Sequence, residues 1–365
     1  TIPALPEATF TDPFPNLPSE PVYDETDNLN LTSSSSSFRR RRHIIPKSLQ
    51  SRADRDVTLC QKSYDAPFYS SWHSNGLGNT YRPFYSYQWD LPSQTCTSYS
   101  FSLIKSALAQ PDDKEYATEH IYELQLVRNF LTWMLDNDPG IKSWLSASNK
   151  RNICSGVYNK YLIPTQQWHL SNIKWGTAQG SSTTKGSRPM DDLISQFSGG
   201  TSNSNEMVYL ESKINGIKAL YFGGKTPNID TLWREKLVSL ARASLMFEYL
   251  ADDTVKTTYK AVSNRMLDFW TRMDEAAKPR AVTSKPAKDI KWAEGYKKWE
   301  KQFLEGQDRD WQAWKNTMLD SVEVELAAAR PPATVEKAVL ASVRAARLGK
   351  LSNAQFRAAH VLKRD

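Results

Sequence analysis

The chain has 365 residues, 39% hydrophobic and 24% charged, with 47 Lys/Arg against 40 Asp/Glu, a formal charge of +7 and a mean hydropathy of −0.59. A chain this long buries a sizeable core and favours two domains, or one domain with appendages, so a miniature disulfide-stapled scaffold is excluded. The composition is that of a globular protein rather than a wholly disordered one, and no apolar run approaches the roughly 18 residues that a membrane span requires.

Residues 1–56 read as a disordered leader or propeptide, with seven prolines before residue 50, serines at 33–37 and the tetra-arginine Arg39–Arg42. Asn30-Leu31-Thr32 is a glycosylation sequon. With a basic run that resembles a kexin- or furin-type processing site, it points to a secreted protein; the competing reading is a basic linker or a nuclear address. From Cys60 to Ser102, aromatic residues alternate with Ser, Asn, Gly and Pro. Loops with short strands are expected there, with rings that either cover a core edge or stack on sugars or bases.

Apolar residues at Ile121, Leu124, Val127 or Leu131, and Met134 predict a helix over 115–135, stopped by Asp136-Asn137-Asp138-Pro139-Gly140. A second helical piece surrounds Trp144. Residues 176–190 and 198–206 are Gly/Ser-rich, and neither stretch carries the G-x-x-x-x-G-K-[ST] pattern of a phosphate-binding loop. In MVYLESKINGIKALYF, two β-prone arms flank Asn215-Gly216, the pair that favours a type I′ turn, and a β-hairpin is expected at 207–222. Helices follow at about 231–250 and 254–274, the latter with Val255, Tyr259, Val262, Met266, Phe269 and Met273 in one stripe.

After a Pro/Lys link at 278–288, a long helix is expected on Trp292, Tyr296, Trp299, Phe303, Trp311, Trp314, Met318 and Val322, with Gly306 as its candidate interruption. Its aromatic stripe suits a core or a partner interface. Two short basic helices are expected at about 334–348 and 352–363. Residues 280–365 hold 17 Lys/Arg against 11 Asp/Glu, which is nearly all of the basic excess, so nucleic acid or another polyanion is the partner this end suits, unless it is a merely solvated face. The expected fold class is α+β. It places a leader at 1–56, a small antiparallel sheet with the hairpin packed on helices at 57–277, and a basic Trp-rich helical extension at 278–365.

Cys60, Cys96 and Cys154 allow one disulfide at most, and spacing does not assign it. No C-x-x-C occurs, against a structural zinc or thioredoxin-like centre. The one constellation with chemical promise is Glu119-His120-x-x-Glu123. On a helix, His120 and Glu123 would share a face one turn apart, where they could hold a divalent metal ion or where the carboxylate could orient the ring as a base. The competing reading is the polar margin of a core helix. A zincin is excluded because no second histidine follows at the required spacing, and a serine hydrolase lacks its G-x-S-x-G elbow.

Three stretches, ATEHIYELQLVRNFL, YNKYLIPTQQWHLSNIKWG and MVYLESKINGIKALYFGG, together resemble a region found C-terminal to the catalytic domain of killer-toxin-like fungal chitinases, and also in related stand-alone secreted fungal proteins, over about residues 90–275. The resemblance implies secretion, fungal origin, processing at Arg39–Arg42 and a toxin or antagonism context. It does not imply chitin hydrolysis, since the D-x-x-D-x-D-x-E signature is absent. The order of acid-His followed by Asn-x-Lys is also similar to that of an HNH-type nuclease, which would give roles to Glu119, His120, Asn159 or Asn172, Lys174 and His169. In that family the first histidine ends a strand, whereas His120 reads as helical. Two functions are therefore expected in competition. One is a secreted toxin- or effector-like hydrolase, nuclease-like and metal-dependent, on Glu119, His120 and Glu123. The other is a noncatalytic module binding glycan, nucleic acid or a partner protein through aromatic and basic surfaces.

Overall fold

The computed structural model describes residues 56–59, 62–65, 84–90, 100–106, 116–146, 193, 206–228, 232–277, 290–328 and 358–362, all within the unit Arg39–Asp365. Six strands and seven helices lie among them. In chain order they are β1 (Asp56–Leu59), β2 (Lys62–Asp65), β3 (Phe84–Asp90), β4 (Ser100–Ser106), β5 (Tyr116–His120), α1 (Gln125–Asn137) and α2 (Pro139–Ser146). β6 (Met207–Glu211), α3 (Ser212–Phe222), α4 (Trp233–Ala251), α5 (Asp253–Ala277), α6 (Trp292–Ala328) and α7 (Ala359–Leu362) follow. The class is α+β, as expected. All but the last residue of the leader, all three cysteines, all but the last residue of the Gly/Ser loops, the 278–288 link and most of the two basic helices lie outside the described residues.

β1 and β2 form a two-stranded ladder, and the other four strands form a sheet of order β4-β3-β6-β5. The sheet is mixed rather than antiparallel, because β6 enters parallel to β3 while pairing antiparallel with β5. The expected hairpin at 207–222 is the main correction. Only its first arm is a strand, and α3 begins at Ser212 immediately after it. Glu211 turns back so that its Oε2 accepts the backbone N–H of Lys213 and Ile214, both at 3.0 Å, filling the N-cap position. Ile214, Ile217, Lys218, Tyr221 and Phe222 then recur at helical spacing and are all buried. Burial of that face outweighs the turn preference of Asn215-Gly216, which becomes the middle of a helix.

The predicted helix over 115–135 also divides. Residues 116–120 extend because they pair with β6, from Tyr116 opposite Glu211 to His120 opposite Met207. Residues 121–124 turn, and α1 starts at Gln125, burying Leu126, Val127, Phe130, Leu131 and Met134. α1 is tied to the end of α3 by Gln125 Nε2 donating to the Ala219 carbonyl (3.0 Å) and Asn129 Nδ2 to that of Phe222 (2.9 Å). Gly223 and Gly224 close α3; Gly224 has φ +70, and a Cβ at Gly223 would lie 2.9 Å from the Ala219 oxygen.

Alternation along the strands separates two apolar faces. Tyr85, Val208 and Leu210 join the large helical core, whereas Phe84, Tyr116 and Tyr209 cluster on the other face with ring centroids 4.5 to 5.2 Å apart. The stripe expected on α5 is buried in full, from Val255 to Met273. α6 runs through Gly306 without interruption, and Trp292, Tyr296, Trp299, Trp311 and Trp314 all point inward. Phe130 meets Trp270, Tyr296 and Trp299 within 5.4 Å, and Trp270 stacks on Trp292. The C-terminal aromatic helix is thus part of the core that covers the sheet, packed on α1, α4 and α5.

Candidate functional site

Strand pairing decides where the acid-histidine motif points. Glu119 sits opposite Val208 and shares its helical face, while His120 sits opposite Met207 and projects to the other side. Alternation sends the two side chains to opposite faces of the strand, yet after Lys218 the His120 charge still acts on the Glu119 carboxyl and lowers it. The turn at 121–124 brings Glu123 back over Glu119, and the two carboxylates meet on a residue 99 and 95 positions further along, Lys218 of α3.

The Lys218 ammonium is fully enclosed, with its side chain 0% exposed. Its Nζ donates to Glu119 Oε1 (2.6 Å), Glu123 Oε1 (2.7 Å) and the His120 carbonyl (2.6 Å), so each of its three protons has an acceptor. The Glu119 and Glu123 side chains are 7% and 16% exposed, which makes Glu123 the solvent edge of the cluster. Beneath it lies the Phe222 ring, 5.8 Å from Nζ. A buried lysine with three good acceptors is the arrangement that makes such a charge tolerable away from water.

Two acids and one ammonium leave one negative charge too many, and the proton affinities divide accordingly. Burial works against ionisation of Glu119, yet the Lys218 charge and hydrogen bond outweigh it and hold the carboxyl below its ordinary value. Burial dominates at Glu123, where the neighbouring Glu119 charge adds to it and Lys218 only partly offsets it, so its carboxyl is pushed up to about 8. Burial alone would depress Lys218, but the two carboxylates raise it above the ordinary lysine value. Near neutrality the cluster is an ammonium, a carboxylate and a carboxylic acid sharing protons as one unit. Tyr249 of α4 completes the surroundings. It is 0% exposed, its hydroxyl makes no hydrogen bond among the described residues, and burial followed by the Glu119 charge raises it far above the usual phenol range.

Two other polar constellations flank this one. Asp252 caps α5 by accepting from Thr254 N (2.9 Å), and also takes bonds from the Tyr85 hydroxyl (2.7 Å) and Lys105 Nζ (3.0 Å). Inside the helical core, the Tyr122 and Tyr296 hydroxyls lie 2.6 Å apart, Tyr296 is 3.4 Å from Ser263 Oγ, and Ser263 donates to Glu300. These three tie elements together across the core.

Of the residues singled out by sequence, Glu119 and Glu123 converge, His120 contributes its carbonyl, and Asn159, His169, Asn172 and Lys174 lie outside the described residues. The helical geometry expected for His120 and Glu123 as a metal pair does not occur, since one ends a strand and the other lies in a turn. An ammonium stands where their oxygens meet, and its charge opposes a second cation there. Among the described residues no group of three or more His, Cys, Asp or Glu is placed to hold a metal ion. Lys218 is the residue that sequence reading missed. Its signal was a lone charge within the apolar stripe Ile214, Ile217, Tyr221, visible only once that stretch is read as a helix. No family model, curated protein or solved structure matches the chain.

Proposed function

We propose that the protein is a noncatalytic module that binds polyanions, nucleic acid foremost, in the secreted, toxin-like setting that the sequence resemblance implies. The observation that carries this reading is the saturation of Lys218. Because both carboxylates of the acid-histidine motif are spent on an internal ammonium, the motif serves to fix β5, the turn after it and α3 to one another. The chain carries a net +7, and four lysines between residues 291 and 301 face solvent at the start of the long helix described below. Such a surface attracts phosphate backbones through counterion release, in a salt-dependent and largely sequence-independent way.

The second reading is a nuclease-like hydrolase with a divalent metal ion, centred on Glu119, His120 and Glu123. It draws on two features: His120 ends β5, as the first histidine of an HNH-type site ends a strand, and the partly exposed Glu123 has a carboxyl that retains a proton up to about 8 beside a cation, which is the condition of a general acid near neutral pH. Incubation of the purified protein with RNA and DNA, with and without chelator, separates the two. The binding reading expects retardation that weakens as salt rises, with the nucleic acid left intact. Cleavage lost both in chelator and in His120→Ala would establish the hydrolase instead.

A further inference from the structure

Exposed charge on α6 is unevenly distributed. Between residues 291 and 302, Lys291, Lys297, Lys298 and Lys301 are exposed, and Glu294 is the single exposed carboxylate, because Glu300 turns inward to Ser263. Lys291, Lys297 and Lys298 form no ion pair among the described residues, and Lys301 has only Glu305 at 4.0 Å. From Lys291, just before the helix, to Lys301 the backbone advances ten steps, about 15 Å at helical rise.

Trp133 of α1 borders this stripe. It is half-buried, its Nε1 donates to Gln302 Oε1 (3.2 Å), and its ring comes within 3.8 Å of where a Cβ on Gly295 would stand. The indole therefore lies along α6 between positions 295 and 302, beside Lys298, with part of its surface in solvent. Elsewhere on α1, exposed Arg128 and Asp136 offset each other. Ammonium groups that follow a backbone, next to an indole that can stack on a base, are the two parts of a single-strand recognition surface.

We infer that the outer face of α6 from Lys291 to Lys301, with Trp133 at its border, is a binding surface for single-stranded nucleic acid, the lysines taking phosphates and the indole a base. The inference rests on the polyanion-binding reading and assigns it a place. The test uses the full chain and a labelled single-stranded RNA of about ten nucleotides, a matched duplex, and phosphatidylserine vesicles. Lys297→Gln/Lys298→Gln/Lys301→Gln should keep the wild-type circular dichroism and lose about tenfold in RNA affinity, its salt slope shallower by about 2. Trp133→Ala should lose severalfold for the single strand and little for the duplex, and Trp133→Phe should restore most of the loss. If the wild type binds RNA and the triple variant binds equally well, the surface is overturned while polyanion binding stands. If the wild type binds neither nucleic acid nor vesicles, both fall. Binding to vesicles without binding to RNA overturns the nucleic-acid assignment in favour of lipid headgroups.

Discussion

At the scale of single residues, Lys218 dominates. Lys218→Met leaves the buried Glu119 carboxylate facing the Glu123 carboxyl without a cation, and should cost about 3–5 kcal/mol in urea unfolding. Adding Glu119→Gln and Glu123→Gln to it should recover a large part of that loss, since the uncompensated charge disappears with the ammonium. Glu123 also sets a pH dependence with a definite sign. Its ordinary value is 4.5 and its folded value about 8, so between those limits the folded state keeps a proton that the unfolded state has released. Stability is therefore lost as pH rises from about 4.5 to about 8, and is level in this respect above that. Glu123→Gln should be the more stable protein at pH 8 by more than about 1.4 kcal/mol, one unit's worth of differential protonation, with the gap closing towards pH 5. Unfolding curves at the two pH values check it. The sequence made the acidic pair legible, because Glu119 and Glu123 are close in the chain. It hid the fate of His120, whose direction depends on strand alternation, and it hid Lys218, whose partnership is formed by tertiary contact across 99 residues.

Among the elements, α3 is where local preference and global packing disagree. Asn215-Gly216 favours a hairpin in isolation, and the Glu211 cap together with a buried face turns the segment into a helix. Gly216→Ala should discriminate the two geometries. In a helix it stabilises the protein by about 0.5–1 kcal/mol, whereas at a type I′ turn position it would be destabilising. Thermal denaturation reads the sign. A second prediction concerns the crossing of α1 and α6, where a Cβ on Gly295 would run into Met134 Sδ and lie 3.1 Å from its Cε. Gly295→Ala should cost about 1–3 kcal/mol by overpacking, and Met134→Ala in the same chain should relieve part of it. Helices with long apolar stripes, α5 and α6, were readable from spacing because their burial follows a 3.6-residue period over many turns. β5 was not, since five extended residues run directly into a helical pattern and only pairing with β6 separates them.

For the whole molecule, the aromatic C-terminal helix and the sheet share one core, so a boundary at residue 277 would cut through packed surface. A chain ending at residue 277 should fail to give the near-ultraviolet circular dichroism and dispersed amide spectrum of a folded protein, because Trp270, Phe130 and Tyr221 lose Trp292, Tyr296 and Trp311 as neighbours. Trp311→Ala in the full chain should cost about 3–5 kcal/mol. Composition and periodicity gave the class, but which helix covers which strand is a long-range choice that spacing alone does not encode. Asp308, in the middle of α6, shows what that long-range closure entails. One of its oxygens receives the Tyr221 hydroxyl (2.9 Å) and the Ala358 amide (2.8 Å), the other the Ala359 amide (2.8 Å). Those amides are synthesised after every element they pack against. A chain cut short of residue 358 therefore leaves the buried Asp308 carboxylate without two of its donors, at the far end of the sequence from the strands it helps to enclose.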